Sequence, residues 1–213
     1  PVGQVDGVRL KETEIGPVSE RWEVVRLGEV IRSTKGRKPV TLTETPLSGS
    51  KAYLTAEYFR SKIANQFVPK EFLDSAEICK KEDVILIWDG SKAGQAFTGL
   101  DGVLASTMIR LDPKIDNLEK SFLYFYLLTQ FETLNSQTTG STIPHVNKTL
   151  FFNLAIPLPP LPEQRAIADI LRTVDRKIQA EERRKAALDA LFRTLLHHLM
   201  TGKVRAALTE SEE

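Results

Sequence analysis

The chain has 213 residues, is 41% hydrophobic and carries a formal net charge of +1, enough for one real core, or a core with an appendage. Divided after residue 160, it holds 19 Lys+Arg against 19 Asp+Glu in the first part and 10 against 9 in the second. A basic tail is thereby excluded, and any nucleic-acid binding has to rest on a local patch.

Residues 1–20 are polar and contain glycine, and read as an arm lying over the surface. "RWEVVRLGEVI" (21–31) mixes β-branched and aromatic residues and predicts a strand running into a turn or short helix. Gly, Pro, Ser and Thr recur through 32–50, which predicts a loop with at most short strands. Two apolar strands, 83–88 and 103–111, bracket glycine turns at Asp89-Gly90 and Asp101-Gly102. Phe122, Tyr126, Leu127 and Phe131, with Leu123 and Leu134, recur at helical spacing across 119–136. That stripe suits a core face better than a base-stacking platform. Residues 140–159 read as a turn, a short helix capped by Asn147, and a strand. The whole of 1–160 is expected to be one mixed α/β domain.

Pro157, Pro159, Pro160 and Pro162 then give an extended, polyproline-like strap. Pro162 suits a helix's first turn, and Glu163 there complements the helix dipole. The helix is expected to run to about Met200, with Gly202 as its C-cap and Lys203 and Arg205 beyond. Its ~37 residues correspond to ~55 Å, longer than a small domain requires. Residues 161–202 form the expected spacer helix, and 203–213 a flexible tail.

Along that helix Ile167, Leu171, Val174, Ile178, Glu181, Lys185, Leu188, Phe192, Leu195 and Leu199 alternate four and three apart, an unbroken heptad seam. Packing on its own domain is one reading of the seam, and pairing with another helix the other. In a parallel self-pair Glu181 faces Glu181 and Lys185 faces Lys185. An antiparallel pair centred on Arg183 opposes Glu181 to Lys185, Ile178 to Leu188, Val174 to Phe192, Leu171 to Leu195 and Ile167 to Leu199. An antiparallel two-fold homodimer with one α/β domain at each end is therefore expected, an arrangement that suits inverted half-sites on duplex DNA and equally any other target present in two copies.

For DNA contact, Arg32, Lys35, Arg37 and Lys38 lie close together, and no acidic residue occurs from 30 to 43. A cationic glycine-containing loop suits phosphates, and arginine also reads guanine edges; a merely solvated loop is the alternative. Lys92 in "DGSKAG" either reaches DNA or sits in a plain hairpin turn. Ser141, Thr142, His145 and Lys148 in the 137–148 stretch offer backbone amides and side chains to a phosphate, or cap the short helix. His197 and His198 read as facing solvent or a partner. Phosphate-loop, dinucleotide-binding, methyltransferase, common nuclease and HExxH motifs are missing. One cysteine, Cys79, and three histidines give no metal-ligand spacing. This fits a reader better than an enzyme, against two rivals: a protein-interaction scaffold without specific DNA binding, and an enzyme with an unfamiliar site. The lone Cys79, the absence of an apolar span and the absence of a signal layout predict a soluble, cytoplasmic protein without a membrane segment. A first residue Pro1 with no methionine before it suggests processing or trimming.

"GSTIPHVNKTLFFNLAIPLPPLPEQRAIADILRTVDRKI" (140–178) and "LFRTLLHHLMTGKVR" (191–205) resemble the specificity (S) subunits of type I restriction–modification systems. "KETEIGPVSERWEVVRLGEVI" (11–31) is similar to the usual opening of their target-recognition domain, and "VILIWDGSKAGQ" (84–95) to its central strand and turn. The resemblance implies an α+β fold: a target-recognition domain followed by a long helix that forms an antiparallel coiled coil. It also implies a chain with no active site of its own that reads DNA for methyltransferase (M) subunits and, in the full enzyme, restriction (R) subunits. S-adenosylmethionine, ATP and Mg are expected on those partners and no cofactor on this chain. A full S subunit has two recognition domains and two helices; this chain has one of each and looks like a half-subunit, for which a homodimer implies a palindromic interrupted target.

Overall fold

The computed structural model describes residues 4–5, 8–140 and 142–205. Two compact units divide after Ala168, the first Pro1–Ala168 and the second Asp169–Glu213.

In the first unit β1 (Gln4–Val5), β2 (Val8–Thr13) and β3 (Gly16–Ser19) form an antiparallel sheet in chain order. The surface arm expected over 1–20 is thus a three-stranded antiparallel sheet in its described part. Gly16 turns it at φ +92, and the Thr13 hydroxyl donates to the Gly16 carbonyl at 2.7 Å. β4 (Glu23–Arg26) runs into α1 (Leu27–Val30), the strand and short helix expected there. β5 (Ile31–Lys35) follows at once. The loop expected from 32 therefore begins as a five-residue strand, because Ile31 is buried and its neighbours pair with a later strand.

Next come β6 (Lys51–Leu54), α2 (Ala56–Ser61), β7 (Phe67–Val68), a 3₁₀ turn (Lys70–Ser75) and β8 (Ile78–Cys79). They are followed by β9 (Val84–Ile87), β10 (Ala96–Phe97), β11 (Gly102–Leu104) and β12 (Met108–Pro113). One sheet has the order β10-β9-β12-β5 and is antiparallel throughout; another has the order β7-β6-β11-β8, with β6 and β11 parallel. The single strand expected over 103–111 is thus two strands in two sheets. The break is a turn at 105–107: the Met108 amide donates to the Ala105 carbonyl at 2.9 Å, and the Tyr53 hydroxyl accepts from the Ser106 amide at 3.0 Å.

Each sheet builds one core, and β9 divides them. Val84 and Leu86 point into a core with Leu27, Leu111, Leu123, Leu127 and Phe151. Ile85 and Ile87 point into the other, with Leu54, Phe59, Val103, Leu104 and Met108. A strand buried on both faces reads as an uninterrupted apolar run, and "VILI" does.

α3 (Lys120–Ser136) starts on Glu119, whose carboxylate accepts from the Phe122 amide at 2.6 Å. It buries Phe122, Leu123, Leu127 and Leu134, and the Tyr126 hydroxyl donates to the Ala155 carbonyl at 3.0 Å. α4 (Lys148–Asn153) is capped by Asn147, as the sequence predicts. β13 (Ala155–Leu158) pairs with β4, so Pro157 belongs to a two-stranded sheet rather than a free strap. Proline is tolerated there because each strand of such a pair has an edge.

α5 (Leu161–Met200) follows. Its first turns belong to the first unit. Gln164 is 0% exposed: its Oε1 accepts from the Glu119 amide at 2.9 Å, and its Nε2 donates to the Asn117 and Pro159 carbonyls at 2.7 and 2.8 Å. Ala168 is buried, and Ile167 packs on the core of the first unit. Trp22 Nε1 donates to Glu163 at 3.0 Å.

In the second unit the helix carries exposed apolar side chains at Leu171, Val174, Ile178, Leu188, Phe192, Leu195 and Leu199. It ends in a Schellman motif: Gly202, at φ +69, donates to the Leu199 carbonyl at 3.2 Å, and the Lys203 amide to that of His198 at 2.9 Å. Among the described residues no helix is long and apolar enough to cross a membrane.

Candidate nucleic-acid interface

The cationic stretch begins on β5, the edge strand of its sheet. Arg32 lies opposite Asp112 and Lys35 opposite Ile109 of β12, and both side chains are exposed. Gly36 then leaves the sheet where only glycine fits. A Cβ there would lie 2.2 Å from the Ala105 carbonyl oxygen and 2.5 Å from that of Leu104. That close passage sends Arg37 and Lys38 into an exposed loop beside Val40, which is 87% exposed.

Lys35 does not stand alone. Its ammonium lies 2.8 Å from Asp89 Oδ2, and the other oxygen of Asp89 lies 2.6 Å from His145 Nδ1. Two expected DNA-contacting side chains thus share one carboxylate, which spacing along the chain did not reveal. Asp89 sits in the turn after β9, and Gly90 follows it at φ +120. Lys92, in the same turn, is exposed, and its ammonium lies 6.0 Å from the centre of the Phe131 ring. Its stem therefore lies along α3, an arrangement that also suits a cation–π contact.

Thr142 is exposed, and Lys148 is exposed at the start of α4. Ser141 lies outside the described residues. The helix-capping role offered for this stretch belongs to Asn147, whose side chain accepts from the Leu150 amide at 3.1 Å.

Away from these cations, Asp83, Lys120, Arg110 and Asp112 form structural ion pairs. Asp83 takes the Lys120 ammonium at 2.6 Å and the Lys80 amide at 2.9 Å. Burial pushes its pKa upward, but these hydrogen bonds and the Lys120 charge outweigh it and hold the carboxyl below its ordinary value. Arg110 donates to Asp112 at 3.0 Å and to the Ile78 carbonyl at 2.8 Å. Burial opposes its charge, and the Asp112 partner more than restores it. Burial pushes the Cys79 thiol up to about 11, and it lies unreactive inside the second core. Among the described residues no group of three or more His, Cys, Asp or Glu side chains is placed to hold a metal ion.

A family model described as the type I restriction modification DNA specificity domain matches residues 19–190. The type I restriction enzyme MjaVIII specificity subunit of Methanocaldococcus jannaschii is 40% identical over 187 residues, which are 88% of this chain and 44% of that one. The EcoBI specificity subunit of Escherichia coli is 23% identical over 132 residues, 62% of this chain and 28% of the relative. Among solved structures, a chain from a study of complex assembly and conformational transition of the type I R-M system superposes with a TM-score of 0.63 at 24% identity, covering 84% of this chain and 44% of that chain. The crystal structure of the HsdS subunit from Thermoanaerobacter tengcongensis superposes at 0.58 with 21% identity, covering 89% and 47%. These two share the fold, and this chain spans less than half the length of each of these four relatives. With a family model spanning most of both the α/β unit and the long helix, the chain belongs to the type I restriction–modification DNA specificity family.

Proposed function

We propose that this chain is a DNA-reading half of a type I restriction–modification specificity subunit. It binds duplex DNA, catalyses nothing itself and positions methyltransferase subunits, with restriction subunits joining in the full enzyme. S-adenosylmethionine, ATP and Mg belong to those partners. The observation that carries the reading is a specificity-family fold whose edge strand and following loop present Arg32, Lys35, Arg37 and Lys38. Lysine and arginine at such an edge neutralise phosphates, and the exposed loop supplies groups for base edges.

The long helix supplies the second half. Residues 161–202 act as a spacer, and the exposed seam from Leu171 to Leu199 pairs antiparallel with the same seam of a second chain, Glu181 facing Lys185. Ile167 is half-buried in the first unit, so the outermost apolar layer of that register, Ile167 with Leu199, contributes less than the others. Two identical halves related by a two-fold axis read an interrupted palindrome.

The test is to purify the chain with its cognate methyltransferase subunit and map methylated adenines across a genome. The expected result is one split motif whose halves are inverted copies. A contiguous motif refutes the spacer, and a split motif with unequal halves refutes the homodimer. Binding that does not weaken with added salt refutes the DNA-contacting edge.

A further inference from the structure

Three stretches far apart in sequence meet on one carboxylate. Asp89, with its side chain 15% exposed, holds Lys35 from 54 residues before and His145 from 56 residues after. The backbone fixes the same place. Gly90 donates to the Pro144 carbonyl at 2.8 Å, Val146 to that of Trp88 at 2.9 Å, and Thr139 and His145 exchange both of their backbone bonds. Gly140, at φ +95, passes so close that a Cβ on it would lie 2.9 Å from His145 Cδ2. The side chains of Lys35 and His145 nevertheless remain 50% and 46% exposed.

An exposed lysine and histidine ordinarily lose rotamer freedom when they bind a ligand. Here Asp89 has already ordered both. Its acceptor oxygen also selects a tautomer: with Nδ1–H donating to the carboxylate, the neutral ring leaves Nε2 as a hydrogen-bond acceptor. In the major groove the groups that donate to an acceptor are the amino groups of adenine and cytosine.

We propose that Asp89 is a positioning residue for DNA reading: it sets Lys35 for a backbone phosphate and turns His145 into an acceptor that selects a base amino group, of adenine or cytosine. This rests on the DNA-reading role proposed above and names the base chemistry that one side chain of the site takes.

The test is selection by the full chain from a pool of duplexes with a randomised core. The wild-type chain is expected to enrich adenine or cytosine at one position of each half-site. In Asp89→Asn the Lys35 ammonium claims the amide oxygen, so the amide NH₂ faces His145 Nδ1 and the ring proton moves to Nε2. His145 is then a donor, and the preference at that position is expected to pass to a base acceptor, guanine N7 or O6, thymine O4 or adenine N7, with cytosine excluded and roughly 10-fold discrimination lost or reversed. The ¹⁵N shifts of the His145 ring should report the same change of tautomer, and it is the change of base preference accompanying it that a purely structural role for Asp89 would not produce. His145→Phe keeps a ring in place, removes Nε2, and should leave that position unselected while the rest of the motif persists. The control is Arg37→Ala with Lys38→Ala, which should weaken binding to every duplex and lower the salt slope by about 1.8 for two phosphate contacts.

If the control weakens binding as stated while Asp89→Asn and His145→Phe select the wild-type motif unchanged, the inference fails and the DNA-reading role stands. Tighter binding by Asp89→Asn also overturns it, since the carboxylate would then be screening the cations. If the wild-type chain enriches no duplex, or the control binds as well as wild type, the DNA-reading role fails and the inference falls with it.

Discussion

Replacing Gln164 by methionine tests what the "PEQ" at the start of α5 does. Methionine keeps nearly the same volume and length, so packing around a side chain that is 0% exposed is retained. What goes is one hydrogen bond accepted from the Glu119 amide and two donated to the Asn117 and Pro159 carbonyls. At roughly 1 kcal/mol net for each buried hydrogen bond, the loss is about 3 kcal/mol. For a chain of this length that lowers the melting temperature by about 6–12 °C. The assay is urea unfolding at neutral pH, with a reduced midpoint and an unchanged slope. Gln164→Glu sharpens it, because a carboxylate cannot donate to the two carbonyls and would be buried against them. Its folded-state pKa is then raised above the unfolded one, so the variant should be less stable than Gln164→Met at neutral pH and recover as the pH falls. A loss below about 1 kcal/mol in Gln164→Met, or a Gln164→Glu variant as stable as wild type at neutral pH, would refute the reasoning.

Asp83 should make the first unit acid-sensitive. Its carboxyl lies below the ordinary value when folded, so its contribution is present above the unfolded value, about 4, and is lost as the pH falls through the folded one. Asp83→Asn should lower stability at neutral pH and flatten the acid limb of a pH–stability curve. Gly36→Ala would set a Cβ 2.2 Å from the Ala105 carbonyl oxygen. The expected cost is about 2 kcal/mol or more in thermal unfolding, with weakened DNA binding because Arg37 and Lys38 follow directly. Along the helix, Glu181→Lys should weaken self-association in sedimentation, and Glu181→Lys combined with Lys185→Glu should restore it; a double variant no better than the single one rules out the antiparallel register.

Much of this was legible because periodicity is local. α3 follows from apolar residues three and four apart, α4 from Asn147 placed to cap, and the end of α5 from Gly202. The hairpin of β2 and β3 leaves little trace in the sequence because its polar strands bury little, and its one local signal is Gly16 after Glu14-Ile15. The stretch 103–111 reads as one strand because apolar residues lie on both sides of Ala105–Thr107, and nothing local says that two sheets claim them. The cations of β5 and its loop were visible as composition. The sharing of Asp89 by Lys35 and His145 was not, since separations of 54 and 56 residues close only in the folded chain. Gln164 carries no signal in the sequence, for the opposite reason. A polar residue in a helix's first turn ordinarily faces water, and only the carbonyls of Asn117 and Pro159 explain its burial.

The four residues of β9 are a party wall. With Val84 and Leu86 furnishing one chamber and Ile85 and Ile87 the other, neither chamber can be emptied while its neighbour stays shut. Amide protons along this strand should therefore be the last in the first unit to exchange with solvent, and both halves of that unit should melt in one step. Variation that retunes what the chain selects is then steered away from the wall and toward the rims, where Gly90 and Gly140 let the backbone turn at positive φ.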